Sequence, residues 1–202
     1  MKNVITDMKH FLVIILSFVC LCVAAQKTKD YVRPHLSFCG VSMNNRLEDF
    51  TDSLLAKSFV KVDSVKDVSP LLDHVYLQGR FENIACTVDV GQSVTHKVDT
   101  LKVYLNDVNN PVLSFKILTN FYRSKCGSPV FDNYYYPPMG TDDLKQQLSI
   151  EPYVIAFSVA GGVIQFELKY IPLTHRFVYS VLFVDTENAL PVIPQDDAVI
   201  EW

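Results

Sequence analysis

Asp73-His74 sets a carboxylate beside an imidazole, and that pairing is half of what general acid–base or nucleophilic catalysis requires. The other histidines of the chain body, His35, His96 and His175, share no local ligand spacing with it or with one another. No G-x-S-x-G elbow, H-E-x-x-H helix or phosphate-cradling glycine loop accompanies them. A hydrolase with an unrecognised site is therefore an alternative without a motif behind it, and no catalytic residue is assigned.

Cysteine chemistry is equally sparse. Cys39, Cys86 and Cys126 lie in the body of the chain, and their spacing fits no zinc motif. Three thiols cannot all pair. Cys86 stands in IACTVDV in phase with Ile84, Val88 and Val90, which reads as a small buried hydrophobe, and a Cys39–Cys86 disulfide is the other arrangement open to it. Cys126 ends a helical pattern, where the negative end of the helix dipole opposes thiolate formation. Asp196, Asp197 and Glu201 lack the alternating oxygen ligands and bend-making glycine of a calcium loop, so neither metal nor cofactor is expected.

Tyr134, Tyr135 and Tyr136 stand together in DNYYYPPMG. Stiffened by Pro137-Pro138, they could offer flat faces to a sugar ring or a peptide. The plainer reading is a connection whose rings pack on the sheet while the hydroxyls reach water.

The elements that must position these residues begin after a leader. Lys2 and Lys9 precede an apolar run, Phe11 to Val23, that is shorter than the ~20 residues a membrane-spanning helix needs. Val23-Ala24-Ala25 then supplies small residues for cleavage, so 1–25 reads as a secretory signal, with Met1 or Met8 as its start. Residues 26–34 read as a flexible tail, 35–188 as one α+β domain and 189–202 as an acidic C-terminal tail. No later run is long and apolar enough to cross a bilayer. The chain carries a net charge of −4, one unit more negative without the leader, and no basic stripe, which argues against nucleic acid as a partner.

Within the domain, His35 to Met43 reads as one short strand, and Asn45 as the cap of a helix whose apolar stripe is Leu47, Phe50, Leu54 and Leu55. Four strands alternate between residues 60 and 105. A second helix is punctuated by Asn110, Pro111, Gly127 and Pro129, with Leu113, Ile117 and Phe121, flanked by Leu118 and Tyr122, as its buried stripe. Thr141 caps a short helix. Gly161-Gly162 turns a hairpin in which Ile164, Phe166, Leu168 and Tyr170 alternate with polar residues, and Arg176 to Asp185 adds another strand. VDTEN reads as a turn in which Asp185 and Asn188 satisfy local backbone donors. The fold class is α+β: an antiparallel sheet of about seven to eight strands with two main helices on one face, arranged as two helix-plus-meander halves.

FCGVSMNNRLEDFTDSLLAKSF resembles the opening of uncharacterised secreted proteins of Bacteroides-type bacteria, where an F-x-G-[IV]-x-[MI] strand leads into an F-x-x-x-L-x-x-K-x-F helix. LQGRF, FYRSKCGSP, GGVIQFELKY and VLFVDTEN resemble that pattern in order, whereas Cys39 and Cys126 stand where it has a lysine-like residue and an aromatic. The resemblance implies export to the periplasm or surface of a Gram-negative cell and no assigned activity. The expected function is a non-enzymatic binding module for an envelope protein or peptide, with a glycan-binding accessory acting through Tyr134–Tyr136 as the alternative.

Overall fold

The computed structural model describes residues 33–62, 74–106, 110–134 and 140–189. The leader, most of the 26–34 tail, Asp73, Tyr135, Tyr136 and the tail from 190 onward with its Asp196, Asp197 and Glu201 lie outside these residues. A boundary between Arg33 and Pro34 separates two units, and every element below belongs to the second, Pro34–Trp202.

The stretch read as one strand is a hairpin, β1 (Ser37–Phe38) and β2 (Val41–Ser42). Cys39 and Gly40 turn it with φ of 49° and 73°. Positive φ at both central residues matches the twist of paired strands, and Gly40 adopts it without steric cost. The turn folds Phe38 and Val41 together into the core.

Helix α1 (Leu47–Leu55) buries Leu47, Phe50 and Leu54 but leaves Leu55 exposed. Arg46, not Asn45, holds its cap position, and no side chain caps it. Asn45 is drawn elsewhere: its carbonyl accepts the Val98 amide at 3.1 Å.

Eight strands follow: β3 (Val60–Lys61), β4 (His74–Phe81), β5 (Ile84–Gln92), β6 (Val98–Leu105), β7 (Phe131–Asp132), β8 (Tyr153–Val159), β9 (Gly162–Ile171) and β10 (Arg176–Asp185). They form one antiparallel sheet in the order β3-β4-β5-β6-β10-β9-β8-β7. Each half is a four-strand meander opening on a two-residue edge strand. The halves zip together through their last strands, with Val103 opposite Val181.

Helix α2 (Pro111–Cys126) lies between the meanders, and its ends are punctuated as the sequence predicts. The Asn110 side chain accepts the Leu113 amide at 3.0 Å, Pro111 opens the first turn and Gly127 ends the helix with φ of 82°. Its buried face, however, is Phe115, Leu118, Thr119 and Tyr122, while Leu113, Ile117 and Phe121 are 52%, 61% and 39% exposed. The larger rings decide the orientation. Phe115 meets Tyr179 at 5.4 Å between centroids, and Tyr122 meets Phe166 at 4.8 Å, contacts that the opposite face could not supply.

Helix α3 (Thr141–Ile150) has Gly140 rather than Thr141 at its cap position, and α4 (Thr186–Ala189) follows β10 directly. The β8–β9 turn is displaced by one residue from the glycine pair. Ala160 and Gly161 make it, Gly161 with φ of 91°, while Gly162 is the first residue of β9 opposite Asp185.

One hydrophobic cluster takes alternate residues from every long strand, Leu77, Val88, Val103, Val181, Phe166 and Ile155 forming one continuous cross-strand row of it. Leu47, Phe50 and Leu54 of α1, Phe115, Leu118 and Tyr122 of α2 and Leu148 of α3 complete the same cluster. The helices therefore cover one face of the sheet, as the two-layer expectation requires.

Candidate binding surface

The alternate set of strand residues points away from the helices. Because residues directly opposite on antiparallel strands share a face, the registers place Tyr76, Asp89, Lys102, Leu182, Gln165, Ala156 and Phe131 in one row across seven strands. At about 4.8 Å per strand the row is roughly 29 Å long. One step along lie Gln78, Thr87, Tyr104, Ser180, Glu167 and Val154. Phe131 is 52% exposed, and Tyr76, Tyr104 and Leu182 are half-buried by their neighbours alone.

Charges of both signs punctuate this face. Lys102 Nζ stands 5.3 Å from the Tyr104 ring centroid, and Lys169 Nζ lies 3.3 Å from Glu167 Oε1. Dehydration, reinforced by the Asp89 carboxylate, pushes the Tyr76 and Tyr104 hydroxyls above their ordinary range. Both stay protonated at neutral pH; the Tyr76 hydroxyl donates to Asp89, and that of Tyr104 presents a hydrogen-bond donor on a flat apolar ring.

His74 belongs to the same face, at its end. Its Nδ1 lies 2.7 Å from Asp89 Oδ1, a carboxylate from across the β4–β5 ladder and distant in sequence, which no local spacing could reveal. Such a pair fixes the tautomer of the imidazole. Beside it opens a cleft of about 770 Å³ lined by Arg46, Glu48, Thr51, Asp52, Lys61 and His96 among others.

Tyr134 turns inward. Its ring packs on Phe115 at 5.5 Å and on Tyr153 at 5.0 Å, and its hydroxyl is shielded from solvent rather than wet. That position joins the core and contributes nothing to the open face.

The three cysteines among the described residues are free thiols: Cys39 exposed on the β1–β2 turn, Cys86 buried and Cys126 half-buried. Burial, then the nearby Cys39, raises Cys86 to about 11 against a small opposing effect of the Gly79 backbone. Cys126 is also raised, burial outweighing Lys125. Among the described residues no three histidine, cysteine or acidic side chains converge to hold a metal ion, and no helix is long and apolar enough to cross a membrane.

Buried titratable groups make stability depend on alkaline pH. Burial raises Tyr179, and burial followed by Glu82 and the two nearby thiols raises Tyr122. A raised folded-state value means that the neutral form is favoured by folding. The stabilisation is therefore complete below the unfolded values, near 8.5 for a thiol and 10 for a tyrosine, and is lost as pH climbs above them. Urea midpoints measured from pH 7 to 11 are expected to stay level to about pH 8.5 and then fall. Cys86→Ala should flatten the first part of that fall; a decline of unchanged shape would show that this thiol does not carry it.

The polar residues of VDTEN tie the fold together. Asp185 is fully buried, and its carboxylate accepts the amides of Leu36 at 2.9 Å and of Glu187 and Asn188 at 3.1 Å, with His35 Nδ1 at 3.2 Å. Asn188 Nδ2 donates to the carbonyls of Met43 and Val98, each at 2.9 Å. Asp185 accepts local amides as the sequence predicts, but the stretch is the short helix α4 rather than a turn, and Asn188 donates to distant carbonyls instead of satisfying local donors.

No family model, curated protein or solved structure matches this chain.

Proposed function

We propose that this chain is a non-enzymatic binding module of the cell envelope, exported by its leader, and that the uncovered sheet face receives a protein or peptide. The observation that carries the reading is the cross-strand row from Tyr76 to Phe131, which no described helix covers. Aromatic rings, an aliphatic centre at Leu182 and charges of both signs suit a polypeptide surface better than a polyanion, which would require a basic stripe.

The test uses the chain without its leader as bait against the envelope fraction. The parent is expected to retain a stoichiometric protein partner, and a Tyr76→Ser/Tyr104→Ser/Leu182→Ser variant to lose at least nine-tenths of it, roughly the effect of removing two modest interface anchors. Because all three side chains are half-exposed, the folded state should survive. Undiminished capture by the triple variant would defeat the assignment to this face.

A hydrolase is the second reading, and the His74–Asp89 pair beside the cleft favours it. Screening ester, peptide and glycoside substrates with the parent and His74→Ala separates the two; turnover that vanishes in His74→Ala would replace the binding module with an enzyme.

A further inference from the structure

We propose that the outward face of α2 is a second docking surface, and that its occupant is an acidic amphipathic helix of a protein partner. The surface does not depend on the sheet face and lies on the helix layer.

Leu113, Ile117 and Phe121 recur at i, i+4 and i+8 and form one exposed ridge along α2. At ~1.5 Å per residue the ridge is about 12 Å long, the span of three successive anchors on a partner helix laid into it. Exposed hydrophobic residues scattered singly require no explanation, whereas three in register on one helix form a continuous apolar surface.

Charge identifies the occupant. The chain is net negative, and α1, α3 and α4 each contain acidic residues, yet α2 contains none and carries Lys116, Arg123 and Lys125. Arg123 is paired with Asp132. Lys125 lies 3.8 Å from Glu82 and holds its Nζ 3.9 Å from the Phe121 ring centroid, at the end of the ridge. Lys116, next to Ile117, has no ion pair among the described residues. An acid on the incoming helix can neutralise it. A second copy presenting its own α2 would supply no acid for Lys116 and would bring a second Lys116 to the same face, which opposes self-pairing through it.

The test measures binding of two labelled helical peptides to the full chain by fluorescence anisotropy. Both carry leucine at i, i+4 and i+8; one is flanked by glutamates and the other by lysines. The glutamate peptide is expected to bind, and its Kd to rise at least tenfold with Ile117→Gln and with Lys116→Glu, two exposed positions whose exchange leaves the fold intact. Lys116→Glu should at the same time improve binding of the lysine peptide. The triple variant of the sheet face should bind the glutamate peptide as the parent does.

Equal binding of the two peptides, or indifference to Ile117→Gln, overturns the proposal. So does binding to vesicles of anionic phosphatidylglycerol that depends on Ile117 while neither peptide binds, which would make the occupant a membrane. A dimer that Ile117→Gln converts to a monomer in light scattering would assign the ridge to a second copy instead.

Discussion

Asp185→Ala is expected to lower the unfolding free energy by about 3 to 5 kcal/mol, the usual consequence of removing one partner from a buried, hydrogen-bonded charged site. Alanine leaves the buried amides of Leu36 and Asn188, and the part-buried amide of Glu187, without their shared acceptor. Each unsatisfied buried donor costs about 1 to 3 kcal/mol, so the size of the effect does not depend on the His35 contact. The damage spreads beyond the turn, because α4 begins at Thr186 and positions Asn188 to hold the carbonyls of Met43 and Val98. One side chain thereby ties the β1 approach, the end of β10 and, through Asn188, the start of β6.

Asp185→Asn provides the internal comparison. Its amide oxygen can still accept the Glu187 and Asn188 amides, but its NH2 group would face the Leu36 amide, donor against donor. Its loss should fall between the parent and the alanine variant. In thermal unfolding the alanine variant should melt on the order of 10 °C lower, from the usual 2 to 4 °C per kcal/mol in a domain of this size. A shift below 2 °C in that variant would refute the anchoring role.

Gly162→Ala should be comparably severe for a different reason. A Cβ at this position would stand 2.0 Å from the Val184 carbonyl oxygen and 2.9 Å from Leu36 Cδ1. The nearer obstacle is backbone, held by the β9–β10 ladder at Val163 opposite Val184, and cannot rotate aside as a side chain would. Either the two strands separate at their end or the hairpin turn moves, and overpacking of this kind costs about 1 to 3 kcal/mol, with a clash against backbone at the upper end. Gly140→Ala is the matched control. There φ is −62°, and the nearest atom to the new Cβ is the flexible end of Asp143 at 3.4 Å, so the exchange should be neutral to within about 0.5 kcal/mol. Equal urea midpoints for the two alanine variants would show that the close approach at Gly162 relaxes without cost.

Much of this architecture is written in local patterns. Ile164, Phe166 and Leu168 alternate with polar residues in a strand whose partners lie on both sides, so the period of two survives intact into the fold. Asn110, Pro111 and Gly127 bound α2 because capping and φ preferences act within a few residues. The number of strands and their antiparallel pairing follow from short connections between alternating segments.

The tertiary structure settled which side of an element is used and which distant residues meet. Helix α2 has apolar residues on two sides, and at ~100° per residue Leu113, Ile117 and Phe121 lie well away from Phe115, Leu118 and Tyr122. Hydrophobicity alone cannot choose between those stripes; the fit of Phe115 and Tyr122 against Tyr179 and Phe166 chooses. The same holds for His74 with Asp89, and for Asn188 with carbonyls 90 and 145 positions away in the chain. Local preference is a property of a few neighbouring residues and can be read in order along the chain, whereas these contacts exist only once strands have paired: His74 meets Asp89 when β4 and β5 form their ladder, and Asn188 reaches the Val98 carbonyl when the two meanders zip through β6 and β10.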